Sequence, residues 1–216
     1  TYILTSNIPE LIPYLAFVLF RIPLPLTIIQ ILAVDLGTDM LPALALGAER
    51  PDPDLMRQPP RPTHERLLSW PLLTRAYLWL GMLEAGVALA GFSLVLHLAG
   101  WRYGEVLAVA DPLYLQATTA CLAGIVLAQL VNVFLCRHPR ESSLSFSLTA
   151  NPLLLLGIAV ELGLLLLIVY TAPGNRVFGT QPFPPVVWAF LALLAVGFGV
   201  LEEARKFLVR RQFRMA

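Results

Sequence analysis

Residues 25–47 read PLTIIQILAVDLGTDMLPALALG, an apolar run that is long enough to cross a bilayer and yet carries two aspartates. About 20 apolar residues in a helix span the ~30 Å of membrane hydrocarbon. An ionised acid near the bilayer centre costs roughly 3 kcal/mol, so acids in such helices usually face a partner, a cavity or a transported ion. The run therefore predicts both a membrane-spanning helix and a functional site within it.

The rest of the chain has the composition of an integral membrane protein. Of its 216 residues, 57% are hydrophobic and only 13% are charged, and the mean hydropathy is +0.73, which excludes an ordinary soluble domain. Nothing in this composition indicates nucleic-acid binding. We predict an all-α fold, a polytopic transmembrane bundle of six helices. The predicted helices cover about 2–20, 25–47, 71–98, 112–136, 152–171 and 184–207.

The basic residues are divided unequally between the two sides of this bundle. Twelve of the 15 Lys and Arg residues fall in or next to the loop 48–70, the loop 137–150 and the C-terminus. By the positive-inside rule these segments are cytoplasmic, and six crossings then place the N-terminus there too. The loop 48–70 contains five prolines, which predict an extended and stiff connection.

The first span begins at Thr1 without a methionine, a basic flank or a cleavage site. It therefore resembles neither a signal peptide nor a natural translation start. We expect the chain to be a fragment that is cut within or just before a helix.

The first acid segment combines polar side chains with a helix-disrupting proline. Asn7 and Glu10 are three residues apart and share a helix face, and Ser6 adds a hydroxyl oxygen. Pro9 has no N–H, so the carbonyl oxygen of Thr5 loses its helical donor and becomes available to a ligand. This segment therefore predicts a cluster of oxygen atoms at membrane depth.

The second acid segment offers two carboxylates and a hydroxyl on one face. Asp35 and Asp39 are four residues apart with Thr38 beside them, and Gly37 permits local unwinding. A short connection folds the first two spans into a hairpin and places both acid groups ~15 Å from its turn. Hard cations prefer oxygen ligands, so we predict a cation site, with hydrogen bonding between helices as the structural alternative.

Two further acids, Glu84 and Glu161, are isolated charges in apolar spans. Glu161 could complete a path for sodium or protons. Pairing with a neighbouring helix or protonation explains each acid equally well.

Several motifs resemble the last six membrane helices of type II P-type cation pumps, a family that includes calcium pumps and sodium/potassium pumps. They are residues 5–10 (TSNIPE), 35–39 (DLGTD), 42–47 (PALALG), 54–61 (DLMRQPPR) and 203–206 (EARK). The resemblance covers essentially the whole chain and implies that residues 1–216 form the C-terminal transmembrane domain of such a pump.

The resemblance also implies which residues coordinate the transported cation. These ligands are Asn7, Glu10, Asp35, Thr38 and Asp39. Possible additional ligands are Ser6, Gln129, Asn132 and Glu161. Some calcium and sodium pumps carry an acid in the stretch that matches residues 129–132, where both polar residues of this chain are neutral.

The identity of the cation follows from the charge of the site. Three carboxylates form a hard site suited to a divalent ion, so calcium is the first expectation. Sodium or potassium is the second, because Asp35 resembles the acid of sodium/potassium pumps more than the asparagine usual in calcium pumps of the endoplasmic reticulum.

The phosphorylation sequence of the family, Asp-Lys-Thr-Gly-Thr, does not occur in these 216 residues, and neither does a Walker-type loop. ATP and Mg²⁺ would therefore act only through domains that this chain lacks. The expected partners are the remaining membrane helices and cytoplasmic domains of the same pump, together with the lipid bilayer of the plasma membrane. The alternative is a stand-alone truncated module that acts as a structural or regulatory partner of a pump. An ion-coupled secondary transporter would require an inverted repeat, and the acid motifs have no second copy.

Overall fold

Helices account for the fold throughout the described part of the chain. The computed structural model describes residues 1–49, 67–138, 141–145 and 151–215. Six stretches in these ranges are long and apolar enough to cross a membrane, which confirms the predicted all-α class and the six spans. The orientation of the spans stays a prediction, and most of the connection 48–70 lies outside the described residues.

The described ranges contain nine α-helices and three short irregular helical segments. In chain order they are α1 (Tyr2–Phe20), α2 (Ile28–Ala33), a first π segment (Val34–Thr38), α3 (Met40–Gly47), α4 (Trp70–Leu73), a second π segment (Thr74–Gly81), α5 (Met82–Leu98), α6 (Pro112–Cys136), a 3-10 turn (Ser143–Ser145), α7 (Pro152–Tyr170), α8 (Ala172–Phe178) and α9 (Pro185–Met215). Of these, α8 and the 3-10 turn lie outside the six spans.

Two helix ends differ from the predicted limits by more than one residue. The second span begins at Ile28, after an extended Thr27 at its N-cap, because Pro23 and Pro25 hold the preceding backbone outside the helix. The last helix continues to Met215 and not to residue 207. Residues 208–215 include three Arg together with Leu, Gln and Met, which favour helix even where the long apolar run has ended.

Of the two segments in which the sequence predicts a disrupted backbone, only the second departs from α-helix. α1 remains a continuous helix through Pro9 and Pro13. At Gly37 the backbone widens into the first π segment, in which the Asp39 N–H donates to the Val34 carbonyl at 3.0 Å. Such π insertions often occur at functional sites because they redirect the side chains that follow.

α6 forms the centre of the bundle. In its most apolar segment 72% of the residues are buried, against 28% in α1. α5 lies against it so closely that a Cβ added to Gly124 would come within 2.9 Å of the Ala88 Cα. α7 approaches α3 in a similar way at Gly157, where an added Cβ would lie 3.2 Å from the Pro42 nitrogen. Small residues thus set the distances between the helices that surround the acids.

A buried ionic cluster joins α9 to the second π segment. The Glu202 carboxylate is fully buried and accepts hydrogen bonds from Arg75 Nη2 at 2.8 Å, Trp79 Nε1 at 2.9 Å and Arg205 Nε at 2.7 Å. This cluster fixes the third span against the last one.

Candidate cation site

Carboxylates of the first two spans face one another across the interface between α1 and the first π segment. Glu10 is half-buried, and its Oε1 is inaccessible and has no hydrogen-bond partner among the described residues. The charged groups that act on it are Asp35 and Asp39. The structure therefore brings the three predicted acids within electrostatic reach of each other.

Asp39 lies at the end of the first π segment and is buried. Its Oδ1 accepts a hydrogen bond from the Tyr2 hydroxyl at 3.4 Å, and Ser6 lies beside it. Thr38 is buried too, and its Oγ1 donates to the Val34 carbonyl at 3.1 Å. A hydroxyl that donates within its own helix keeps oxygen lone pairs for a cation.

Two of the predicted ligands lie on the open surface of the bundle. Asn7 and Asp35 are exposed, and Asn7 Nδ2 donates to the Ile3 carbonyl of its own helix at 3.1 Å. Among the described residues, no group of three or more His, Cys, Asp or Glu side chains is arranged to hold a metal ion. The acids are neighbours in this conformation, but they do not converge on one point.

A second polar group lies deeper, between α5, α6 and α7. Glu84 and Glu161 act electrostatically on one another and on Asp39. Asn132 faces Glu84, and its Oδ1 accepts a hydrogen bond from the Cys136 thiol at 3.3 Å. Asp39 is therefore common to both groups of acids.

The side chains of this second group are poorly satisfied. Within the described ranges, the carboxylate oxygens of Glu84 and Glu161, both amide atoms of Gln129 and the Nδ2 of Asn132 lack hydrogen-bond partners. All four residues are buried. Buried polar groups are normally paired, so these atoms are available to bind a ligand, an ion or a proton.

Tyr2 was missed as a site residue, and Glu84 was left outside the predicted ligand set. The spacing of Tyr2, Ser6 and Pro9 places all three on one stripe of α1, and the structure buries that stripe. This periodicity is visible in the sequence and could have identified Tyr2. No spacing rule connects Glu84 to Asp39, because the two residues lie on different spans.

The two groups together offer carboxylate, amide, hydroxyl and phenol oxygens, which are the ligands of hard cations. They include five carboxyl groups, and they lie within helices of membrane-spanning length. The chemistry supported by this set is reversible cation binding inside a membrane.

Comparison with known proteins agrees with this chemistry. The family described as "Cation transporting ATPase, C-terminus" matches residues 23–208. The chain is 32% identical to the sodium/potassium-transporting ATPase subunit alpha of Drosophila melanogaster, over 97% of this chain and 22% of that protein. It is 30% identical to subunit alpha-1 of Oreochromis mossambicus, over 97% of this chain and 23% of that protein. The chain thus spans less than a quarter of the length of these relatives.

Proposed function

The chain belongs to the cation-transporting P-type ATPases, in which it corresponds to the C-terminal membrane region, and from this premise we propose that it holds the transported cation of an ATP-driven pump. The proposed ligands come from the first two spans: Asn7, Glu10, Asp35, Thr38 and Asp39. Ser6, Gln129, Asn132 and Glu161 are the additional candidates. ATP hydrolysis is assigned to other domains of the same pump, and the plasma membrane is the proposed location.

The observation that carries this proposal is the grouping of carboxylates across a helix interface. Glu10, Asp35 and Asp39 act electrostatically on one another at a depth where each ionised acid is costly. A bound cation removes this repulsion and gives the acids a function. Hydrogen bonding between helices, the structural alternative, accounts for the contact between Glu10 and Asp35, but it leaves the buried Oε1 of Glu10 without a partner in the described part of the chain.

The proposed ion is sodium or potassium. The relatives compared above are named as sodium/potassium-transporting ATPases, and the neutral Gln129 and Asn132 add no charge that a divalent ion would require. Calcium, the first expectation from the three carboxylates, stays a prediction that the assay below separates from this proposal.

The exposed Asn7 and Asp35 fit the same function. In the proposed pump, the remaining membrane helices cover this face and bring the two side chains into the site. Phosphorylation of a cytoplasmic domain then changes how closely the ligands approach, which requires a different ion affinity in each of two states.

The test is ion-dependent phosphorylation of the full-length pump by ATP, measured with Na⁺, K⁺ or Ca²⁺ as the only added transported ion. Glu10→Gln and Asp39→Asn should each abolish the ion dependence, because each removes a charge and keeps the shape. Glu105→Gln is the matched control, since Glu105 is exposed in the connection between α5 and α6.

The outcomes separate the parts of the proposal. Unchanged ion dependence in both acid variants would refute the site. A wild-type response to Ca²⁺ alone would refute the choice of ion and leave the pump assignment intact. A coding sequence without further helices and a phosphorylation domain upstream would favour the stand-alone module.

A further inference from the structure

The first half of the second span is a short helix with a polar residue at its most buried point. α2 has only six residues, too few to be stable as an isolated helix. Gln30 is 0% exposed and Ile28 is 76% exposed, so α2 turns an amide side chain toward the bundle and an apolar one away from it. Contacts with other elements therefore decide where this helix lies.

Both polar atoms of the Gln30 side chain have partners. Its Oε1 accepts a hydrogen bond from the Thr27 N–H at 3.2 Å, which caps the start of α2. Its Nε2 donates to Thr118 Oγ1 of α6 and to the Phe178 carbonyl at the end of α8, each at 3.4 Å. One side chain thus joins α2 to two other elements of the bundle.

The two elements that Gln30 joins are themselves held in place. α6 is the centre of the bundle, and α8 packs so tightly on α7 that a Cβ added to Gly174 would lie 2.5 Å from the Leu167 carbonyl oxygen. The Thr180 hydroxyl, just after α8, donates to the Ile168 carbonyl of α7 at 2.6 Å. The Phe178 carbonyl belongs to the last turn of α8, where carbonyl groups need donors from outside the helix. Gln30 is therefore an attachment to a rigid support.

Gln30 also lies directly before the candidate cation site. Asp35 is five residues further along the chain, about 7.5 Å along a helix. The first π segment begins between the two residues, at Val34, so α2 sets the direction from which this segment starts. Ligands that are held in place before the ion arrives bind it more tightly than mobile ones.

We propose that Gln30 is a positioning residue for the cation site: by tying α2 to α6 and α8 it holds the start of the first π segment, and with it Asp35, in the geometry that binds the ion. The inference rests on the proposed function, because it assumes that Asp35 is a ligand. Gln30 itself does not touch the ion. Since α2 stays attached, the change between the two states of the pump takes place after Val34, in the π segment and α3.

The experiment measures ion affinity in the full-length pump. The readout is the concentration of Na⁺, K⁺ or Ca²⁺, each titrated separately, that gives half-maximal phosphorylation by ATP. Gln30→Leu removes all three hydrogen bonds of the side chain, and Thr118→Val removes one of them. Each variant should raise the half-maximal concentration by about 2- to 10-fold, the effect of one or two ordinary hydrogen bonds, and leave the maximal phosphorylation unchanged.

Thr119→Val is the matched control. Thr118 and Thr119 are neighbours on α6, both are fully buried, and both hydroxyls donate to the Leu115 carbonyl. The Thr119 hydroxyl, however, accepts from the Gln181 N–H at 2.9 Å, in the connection between α8 and α9. Thr119→Val should therefore lower stability about as much as Thr118→Val and leave the half-maximal concentration at its wild-type value.

Two further variants test the contact itself. Thr118→Ser keeps the hydroxyl and should restore the wild-type affinity. The double variant Gln30→Leu/Thr118→Val should have the affinity of Gln30→Leu alone, because both changes remove the same hydrogen bond.

Other outcomes overturn the proposal. Equal half-maximal concentrations in Thr118→Val and Thr119→Val would show that the contact with Gln30 does not position the site. Additive effects in the double variant would show the same. A lower maximal phosphorylation at an unchanged half-maximal concentration would assign Gln30 to folding of the pump. If Gln30→Leu does not fold, the comparison of Thr118→Val with Thr119→Val decides the question.

The Glu10→Gln variant separates this inference from the proposed function. Ion-dependent phosphorylation that persists in Glu10→Gln contradicts the proposed function itself. Loss of phosphorylation in Glu10→Gln together with a wild-type ion affinity in Gln30→Leu contradicts only the positioning role.

Discussion

Replacing Glu202 by alanine should destabilise the bundle by about 2–3 kcal/mol. Removing one partner of a buried ion pair costs about 3–5 kcal/mol, because the remaining charge stays buried and unpaired. Glu202 binds two arginines, but the side chains of Arg75 and Arg205 are 12% and 25% exposed, so water can partly solvate them after its removal. The low end of the range, reduced by this solvation, is therefore expected.

The assay is urea titration of the detergent-solubilised pump, followed by tryptophan fluorescence. Glu141→Ala is the control, because Glu141 is an exposed acid and should change the free energy of unfolding by less than about 0.5 kcal/mol. A double-mutant cycle with Arg75→Ala should give a coupling of about 1–2 kcal/mol. A cost for Glu202→Ala no greater than that of the control, or a coupling near zero, would refute this account of the cluster.

Two further changes test helix packing and a charge outside the spans. Gly124→Ala should destabilise the pump by about 1–3 kcal/mol in the same titration, because the new methyl group meets the backbone of α5. Gly86→Ala is the control: its methyl group has open space, so the variant should gain up to about 1 kcal/mol from helix propensity. Equal changes in the free energy of unfolding for the two variants would contradict the close packing at Gly124. Burial raises the pKa of Glu49, but the hydrogen bonds from Arg137 and Asn151 lower it by more, so its pKa lies below the ordinary 4.5. The stabilisation that ionised Glu49 contributes is present above pH 4.5 and is lost as the pH falls through the lowered pKa. On acidification the free energy of unfolding of the wild type should therefore fall by up to about 1 kcal/mol more than that of Glu49→Gln. Parallel pH curves for the two proteins would contradict this.

The sequence predicted the spans because apolar length alone decides which segments cross a membrane. It did not predict the extension of α9, since three arginines interrupt the apolar run beyond residue 207 and these turns are helical through propensity. The sequence predicted that the helix is disrupted at Gly37, but it did not predict that the disruption is a π segment. Whether a glycine loosens a helix or accommodates a π segment depends on packing, here on α7, whose Gly157 lies against α3.

The acids of the first two spans were predictable because their spacing places them on helix faces that a short hairpin brings together. The exposure of Asn7 could not be predicted, because helical spacing shows which residues share a face but not which part of the protein covers that face. Glu84 and Glu161 were visible as isolated charges. Their joint proximity to Asp39 depends on which spans are neighbours, and periodicity within one helix carries no information on that.

The cost of the acids decides between a structural and a functional role. Seven acids lie in the described spans, and Glu202 and Glu203 are paired with basic side chains. At roughly 3 kcal/mol each, the other five would cost about 15 kcal/mol when ionised, as much as the entire stability of a typical domain, about 5–15 kcal/mol. The interface between α5 and α6 is formed by small and apolar residues such as Ala88 and Gly124, so the bundle does not need the acids in order to pack. Two of them, Glu84 and Glu161, have no hydrogen-bond partner within the described residues. Either protonation of the acids or a bound cation between the carboxylates offsets this cost, and the cation is the compensation that the proposed function requires.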